Sequence, residues 1–66
     1  MKNTIKVERA RHDMTQADLA KEISVSRQTI HAIEKGKFVP STVLALKIAR
    51  FFEVKVEEIF TLEDTD

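Results

Sequence analysis

Apolar residues recur along this chain at helical spacing, in short runs separated by hydroxyl and acidic residues. Leu19 and Ile23 stand four apart with Ala20 on the same face, which predicts a helix over about residues 16–23. Thr15 precedes it, and Asp18 follows three positions later in a capping-box pattern with Asp substituting for the usual Glu. Ser24-Val25 reads as a turn. Ser26 then caps a helix over about residues 27–35, with Ile30 and Ile33 inward and Arg27, Gln28 and His31 outward. Gly36 stops that helix, since glycine takes a left-handed conformation cheaply. After a loop at Lys37-Phe38-Val39, Pro40 and Ser41 open a fourth helix to about residue 52, carrying Leu44, Ile48 and Phe51 or Phe52 at helical spacing. Toward the N-terminus, Asn3 is expected to cap a helix over about residues 4–12, whose apolar positions are thin: Ile5, Val7 and Ala10. A fifth helix is expected near residues 56–59, and the alternation after it suggests a short strand within residues 60–63.

The pattern describes an all-α domain spanning residues 1–66, with a helix-turn-helix at about residues 15–36. The second helix of that pair opens with Arg27, Gln28 and Thr29, long or hydrogen-bonding side chains that a core could not use. A helix so equipped, held by a tight turn against a partner, suits entry into the major groove of DNA.

Composition narrows the picture. A chain of 66 residues allows one domain, buries a modest fraction of its surface and gains from dimerisation. With no Cys there is neither a disulfide nor a zinc staple. No apolar run approaches a membrane span and no secretory h-region is visible, so the expectation is a cytoplasmic protein. Net charge is zero, yet it is unevenly spread. Residues 1–52 hold ten Lys and Arg against five Asp and Glu, a balance of +5; residues 53–66 hold Lys55 against six acids, a balance of −5. A basic body suits a polyanion, and the acidic tail at about residues 61–66 is expected to face away from it.

The string MTQADLAKEISVSRQTIHAIEKGKFVPS resembles the DNA-binding domain of the phage lambda and 434 repressors, in the Cro/repressor (Xre) family, and the likeness continues through LALKIARFFEVKVEEIF. The resemblance implies a five-helix lambda-repressor-like domain of the minimal, stand-alone type that binds double-stranded DNA as a homodimer, in some members with a small β-element from the chain ends at the dimer interface. It implies that Gln16 contacts phosphate and braces the recognition helix, that Arg27 and Gln28 read bases, that Thr29 touches a thymine methyl or a phosphate, and that His31 faces the groove. Lys35 and Lys37 flank a loop that meets the DNA backbone. Arg9 and Glu34 match a largely buried, structural ion pair. The sequence also departs from the family. Glu8 replaces an apolar residue, Ala32 gives up a longer base-reading side chain, and Asp13, Ser24 and Glu53 stand at turns where Gly is frequent, so reshaped turns are expected there.

Physical chemistry gives these residues their tasks. Arginine can bond guanine O6 and N7 together, and glutamine adenine N6 and N7. Ser41, at the start of the fourth helix, is a further phosphate donor by helix-terminus logic. Phe51, Phe52, Ile59, Phe60 and Leu62 exceed what one small bundle needs and are candidates for a dimer interface. His31 and Glu34, three apart on a helix, are too few ligands for a metal site, so no metal, cofactor or enzymatic activity is expected. The resulting expectation is a sequence-specific repressor on a pseudo-palindromic operator. The alternative is an antitoxin-like module that binds a protein partner and regulates its own promoter.

Overall fold

A computed structural model describes residues 1–66. The elements run β1 (Lys2–Asn3), α1 (Ile5–Arg11), α2 (Gln16–Glu22), α3 (Arg27–Glu34), α4 (Thr42–Phe51), α5 (Val56–Ile59) and β2 (Phe60–Thr61). Five helices surround a core of aliphatic side chains, with Ile5, Leu19, Ile30, Ile33, Ile48 and Ile59 sealed from solvent. Each helix of the helix-turn-helix contributes a pair to that core, Leu19 with Ala20 and Ile30 with Ile33. The packing of α2 on α3 is thus fixed by these four aliphatic residues, while the polar faces of both remain outside. No helix is long and apolar enough to cross a membrane.

Helix α1 does not bury the residues its apolar pattern suggests. Val7 is 48% exposed, whereas Ile5 and Glu8 are buried. Ile5, Glu8 and Arg9, spaced i, i+3, i+4, share the inner side of α1, so polar residues take inner positions, while His12 at the C-cap is exposed. Glu8 is held by Arg11 Nη1, 2.9 Å from its Oε2, and the His12 ring packs on Phe52 with centroids 5.1 Å apart.

Asn3 lies one residue before the N-cap of α1, and its Oδ1 still accepts from the Ile5 N–H at 3.3 Å. Thr4 holds that position without a side-chain bond. Asn3 instead lies in β1, which pairs antiparallel with β2 in the register Lys2↔Thr61 and Asn3↔Phe60. Its Nδ2 donates to the Ile33 carbonyl at 2.8 Å, fastening the strand to the end of α3. This ribbon joins the two chain ends within one protomer. Phe52, Ile59 and Phe60 are core residues, 4%, 1% and 8% exposed. Of the five residues expected at a dimer interface, these three have almost no surface of their own to offer a second copy. Of that set, half-buried Phe51 and Leu62 (77% exposed) retain accessible surface.

The turns keep the geometry that glycine would favour. Asp13, Ser24 and Glu53 have φ of 54°, 60° and 57°, beside 74° at Gly36. Each sits one residue past a helix C-cap and closes the same two-bond motif. Met14 N–H reaches the Arg9 carbonyl, Val25 that of Ala20, Lys37 that of Ala32 and Val54 that of Ala49, all at 2.9–3.0 Å. The expected reshaping does not occur. Met14, Val25 and Val54 each add an apolar contact with the core at these corners, and that burial offsets the left-handed strain.

Candidate nucleic-acid interface

The recognition helix is built by its first residue. The Ser26 hydroxyl oxygen accepts from Thr29 N–H at 3.1 Å, satisfying one of the amides that every helix start leaves free. The Thr29 hydroxyl lies 2.9 Å from Ser26 Oγ, so it is already engaged within the cap. Arg27 and Gln28 occupy the first turn of α3 and are exposed, and His31, one turn on, is exposed beside them. Lys35 forms the C-cap of α3 and Lys37 follows the corner at Gly36, both in solvent.

Helix α2 is closed by a reciprocal cap. Thr15 Oγ1 accepts from Asp18 N–H and Asp18 Oδ2 accepts from Thr15 N–H, each at 3.0 Å. The backbone bond from Thr15 holds the Asp18 carboxyl below its ordinary value. Asp thus completes the capping box despite its shorter side chain. At α4, Ser41 Oγ accepts from Leu44 N–H at 3.1 Å. Its own hydroxyl hydrogen remains at the exposed helix start, the position expected of a phosphate donor.

Between α1, α2 and α3 lies an open cleft of about 560 Å³ lined entirely by polar side chains. It brings together Gln16, Arg27, His31 and Lys35, and adds Asn3, Lys6, Arg9 and Glu34. Four cations face one carboxylate there, which gives the cleft the sign a phosphate backbone requires. Lys6 escaped the sequence reading as a site residue. The signal was its place three residues before Arg9, on the same side of α1.

The floor of this cleft is an ion pair. Arg9 Nε donates to Glu34 Oε2 at 2.7 Å and Arg9 Nη2 to Oε1 at 3.0 Å. Both side chains are nearly enclosed, 13% and 9% exposed. A third bond from Arg9 Nη1 to the Met14 carbonyl at 2.9 Å ties α1 to the α1–α2 corner. The bond to Glu34 raises the Arg9 value further. Burial pushes the Glu34 carboxyl up, but hydrogen bonds from Arg9 and Gln16 and the nearby Arg9 and Lys6 charges outweigh it, leaving Glu34 below its ordinary value.

Gln16 is turned differently from the expected phosphate contact. Its Nε2 donates to Glu34 Oε1 at 3.2 Å and lies 3.4 Å from His31 Nδ1. The amide nitrogen is therefore directed at the protein, and the carbonyl, which a phosphate would repel, is the free end. Gln16 joins α2 to the recognition helix through two contacts.

One residue of the acidic tail, Glu63, comes close to the end of α3, where its carboxylate lies 3.4 Å from the Met1 ammonium. Because β2 pairs with β1, and Asn3 is bonded to the end of α3, Glu63 comes to line a hollow with Glu34, Lys35 and Gly36. It stands beside the loop that carries two of the expected backbone anchors. The sequence could not place it because the two-residue strands responsible have no periodicity to read.

Residues 5–59 match the family model described as Helix-turn-helix. Over 66 residues the chain is 62% identical to an HTH-type transcriptional regulator of Methanocaldococcus jannaschii, covering all of both proteins. It is 50% identical over 64 residues to one of Bacillus subtilis, covering 97% of each. A third relative, from Archaeoglobus fulgidus, is 48% identical over 66 residues, which is the whole of this chain and 93% of that one. The chain belongs to the helix-turn-helix family and is a transcriptional regulator with a helix-turn-helix DNA-binding domain.

Proposed function

We propose that the protein is a repressor that binds a pseudo-palindromic operator as a homodimer in the cytoplasm, without catalytic activity. The observation that carries this reading is the exposed first turn of α3, where Arg27 and Gln28 project beside a cleft of four cations. Arg27 and Gln28 read base edges. Lys35, Lys37 and the Ser41 hydroxyl meet phosphates, fixing register without carrying sequence information. Two copies set α3 into successive major grooves about 34 Å apart. Occupancy of a promoter by such a compact domain excludes polymerase.

Selection of binding sites from random DNA tests the reading, with sedimentation of the complex to count protomers. A palindromic consensus bound by two protomers is expected. Gln28→Ala should lose discrimination at one base pair, roughly 1–3 kcal/mol, with the salt slope kept; Lys37→Ala should weaken all sequences alike. Recovery of no consensus at moderate salt would overturn it.

A further inference from the structure

The contacts of Gln16 constrain the chemistry that His31 offers. Glu34, held ionised by two bonds from Arg9 at 2.7 and 3.0 Å, accepts hydrogen bonds and donates none. The Gln16 amide must therefore present nitrogen to it, as the 3.2 Å contact from Nε2 to Oε1 records. The alternative amide orientation would set a carbonyl against a carboxylate. That same nitrogen has a second hydrogen and no lone pair to accept with. It lies 3.4 Å from His31 Nδ1, a contact that is attractive when Nδ1 is bare and repulsive when Nδ1 carries a proton.

We infer that Gln16 holds neutral His31 in the tautomer protonated at Nε2, so that His31 meets the groove as a hydrogen-bond donor. The ring is exposed, one turn beyond Arg27 on the outward face of α3. A donor there seeks an acceptor: guanine O6 or N7, adenine N7, thymine O4, or a phosphate oxygen. It finds no partner in the amino group of cytosine. The order Arg9, Glu34, Gln16, His31 thus transmits the direction of one hydrogen bond from the ion pair to the surface. Gln16 is a positioning residue for recognition, acting through His31. The DNA half of this inference rests on the function proposed above; the tautomer half does not.

Nitrogen-15 NMR of the free protein under mildly alkaline conditions tests the tautomer. His31 should show a proton on Nε2 and a bare, hydrogen-bonded Nδ1. In Gln16→Leu the Nδ1 resonance should move to the value of an unbonded ring nitrogen. In Gln16→Met, which likewise has no proton to donate, the same displacement is expected. A proton on Nδ1 in the unaltered protein, or an Nδ1 resonance unmoved in both variants, overturns the inference. On a selected operator, acceptor-deleted bases (7-deazaguanine, 7-deazaadenine, 2-aminopurine for guanine, or 5-methyl-2-pyrimidinone for thymine) should weaken binding roughly 5- to 100-fold at one position. That loss should vanish in His31→Ala. If a methylphosphonate instead produces the His31-dependent loss, the acceptor is backbone and the donor assignment stands. No His31-dependent loss with any substitution overturns the DNA half. Failure to select any operator overturns the proposed function and leaves the NMR result standing.

Discussion

Asp13 and Glu53 hold φ near 55° with no glycine to ease it, at 54° and 57°. A Cβ in that region costs about 1 kcal/mol, and both residues are exposed. Asp13→Gly and Glu53→Gly are each expected to stabilise the fold by somewhat less than this, because glycine also gains freedom when unfolded. The two corners are separate, so the double variant should show nearly the sum in urea denaturation; a loss of stability would mean that the side chains contribute contacts beyond the backbone. The Arg9–Glu34 pair behaves oppositely under substitution. Glu34→Gln leaves a nearly enclosed guanidinium without its countercharge and should cost on the order of 3 kcal/mol at neutral pH. Glu34 lies below its ordinary value, so its stabilisation is present above the ordinary glutamate range, about pH 4.3, and fades as pH falls through the lower folded value. Denaturation curves of the two proteins should therefore converge as pH falls below the ordinary glutamate range. This pair was legible from the sequence through family likeness alone, since nothing in the spacing of Arg9 and Glu34 brings α1 to the end of α3. Gln16 was half legible: its place against α3 was expected, but the direction of its amide depends on Glu34 being ionised.

At the level of elements, the helix ends were legible because side chains write them. Thr15, Ser26 and Ser41 each accept from the amide three residues on, as hydroxyl caps before apolar runs suggest. Gly36 ends α3 at the expected corner. Helix α1 was harder to read, since its inner face carries Glu8 and Arg9, and polar residues give no hydrophobic period. The strands were harder again, being two residues each. Of the caps, Ser26 bears most directly on function, because it sets the start of α3 and engages the Thr29 hydroxyl. Ser26→Ala should lower stability by about 1 kcal/mol. It should also loosen the first turn, where Arg27 and Gln28 sit. Amide hydrogen exchange is expected to quicken at Thr29 and to leave the amides of α4 at the pace set by global unfolding. Uniform quickening throughout α3 and α4, with no local excess at Thr29, would assign the cap a global role and no local one.

The molecule as a whole sets its acidic tail closer to the basic surface than the charge sequence suggests. Residues 1–52 carry +5 and residues 53–66 carry −5, but β1 and β2 bring the chain ends together at the close of α3. Glu63 then lies in the hollow that holds Lys35 and Gly36, and Asp64 follows it in solvent. A phosphate drawn to Lys35 would feel the Glu63 carboxylate, partly offset by the Met1 ammonium 3.4 Å from it, over a Debye length of about 10 Å at 0.1 M salt. The proposed base contacts of Arg27 and Gln28 lie at the opposite end of α3 and would be shorter in range. The tail should thus weaken attraction to any DNA more than it weakens a selected site, which raises the ratio between the two. Glu63→Gln with Asp64→Asn is expected to tighten binding to random duplex roughly two-fold at low salt, the size of removing two exposed, screened charges. The gain should disappear at about 0.5 M salt, where the screening length falls to a few ångströms. Binding to the selected operator should change less, so the specificity ratio declines in the variant. A gain that persists at high salt, or that favours the operator, would show that the tail acts through packing and not through its charge.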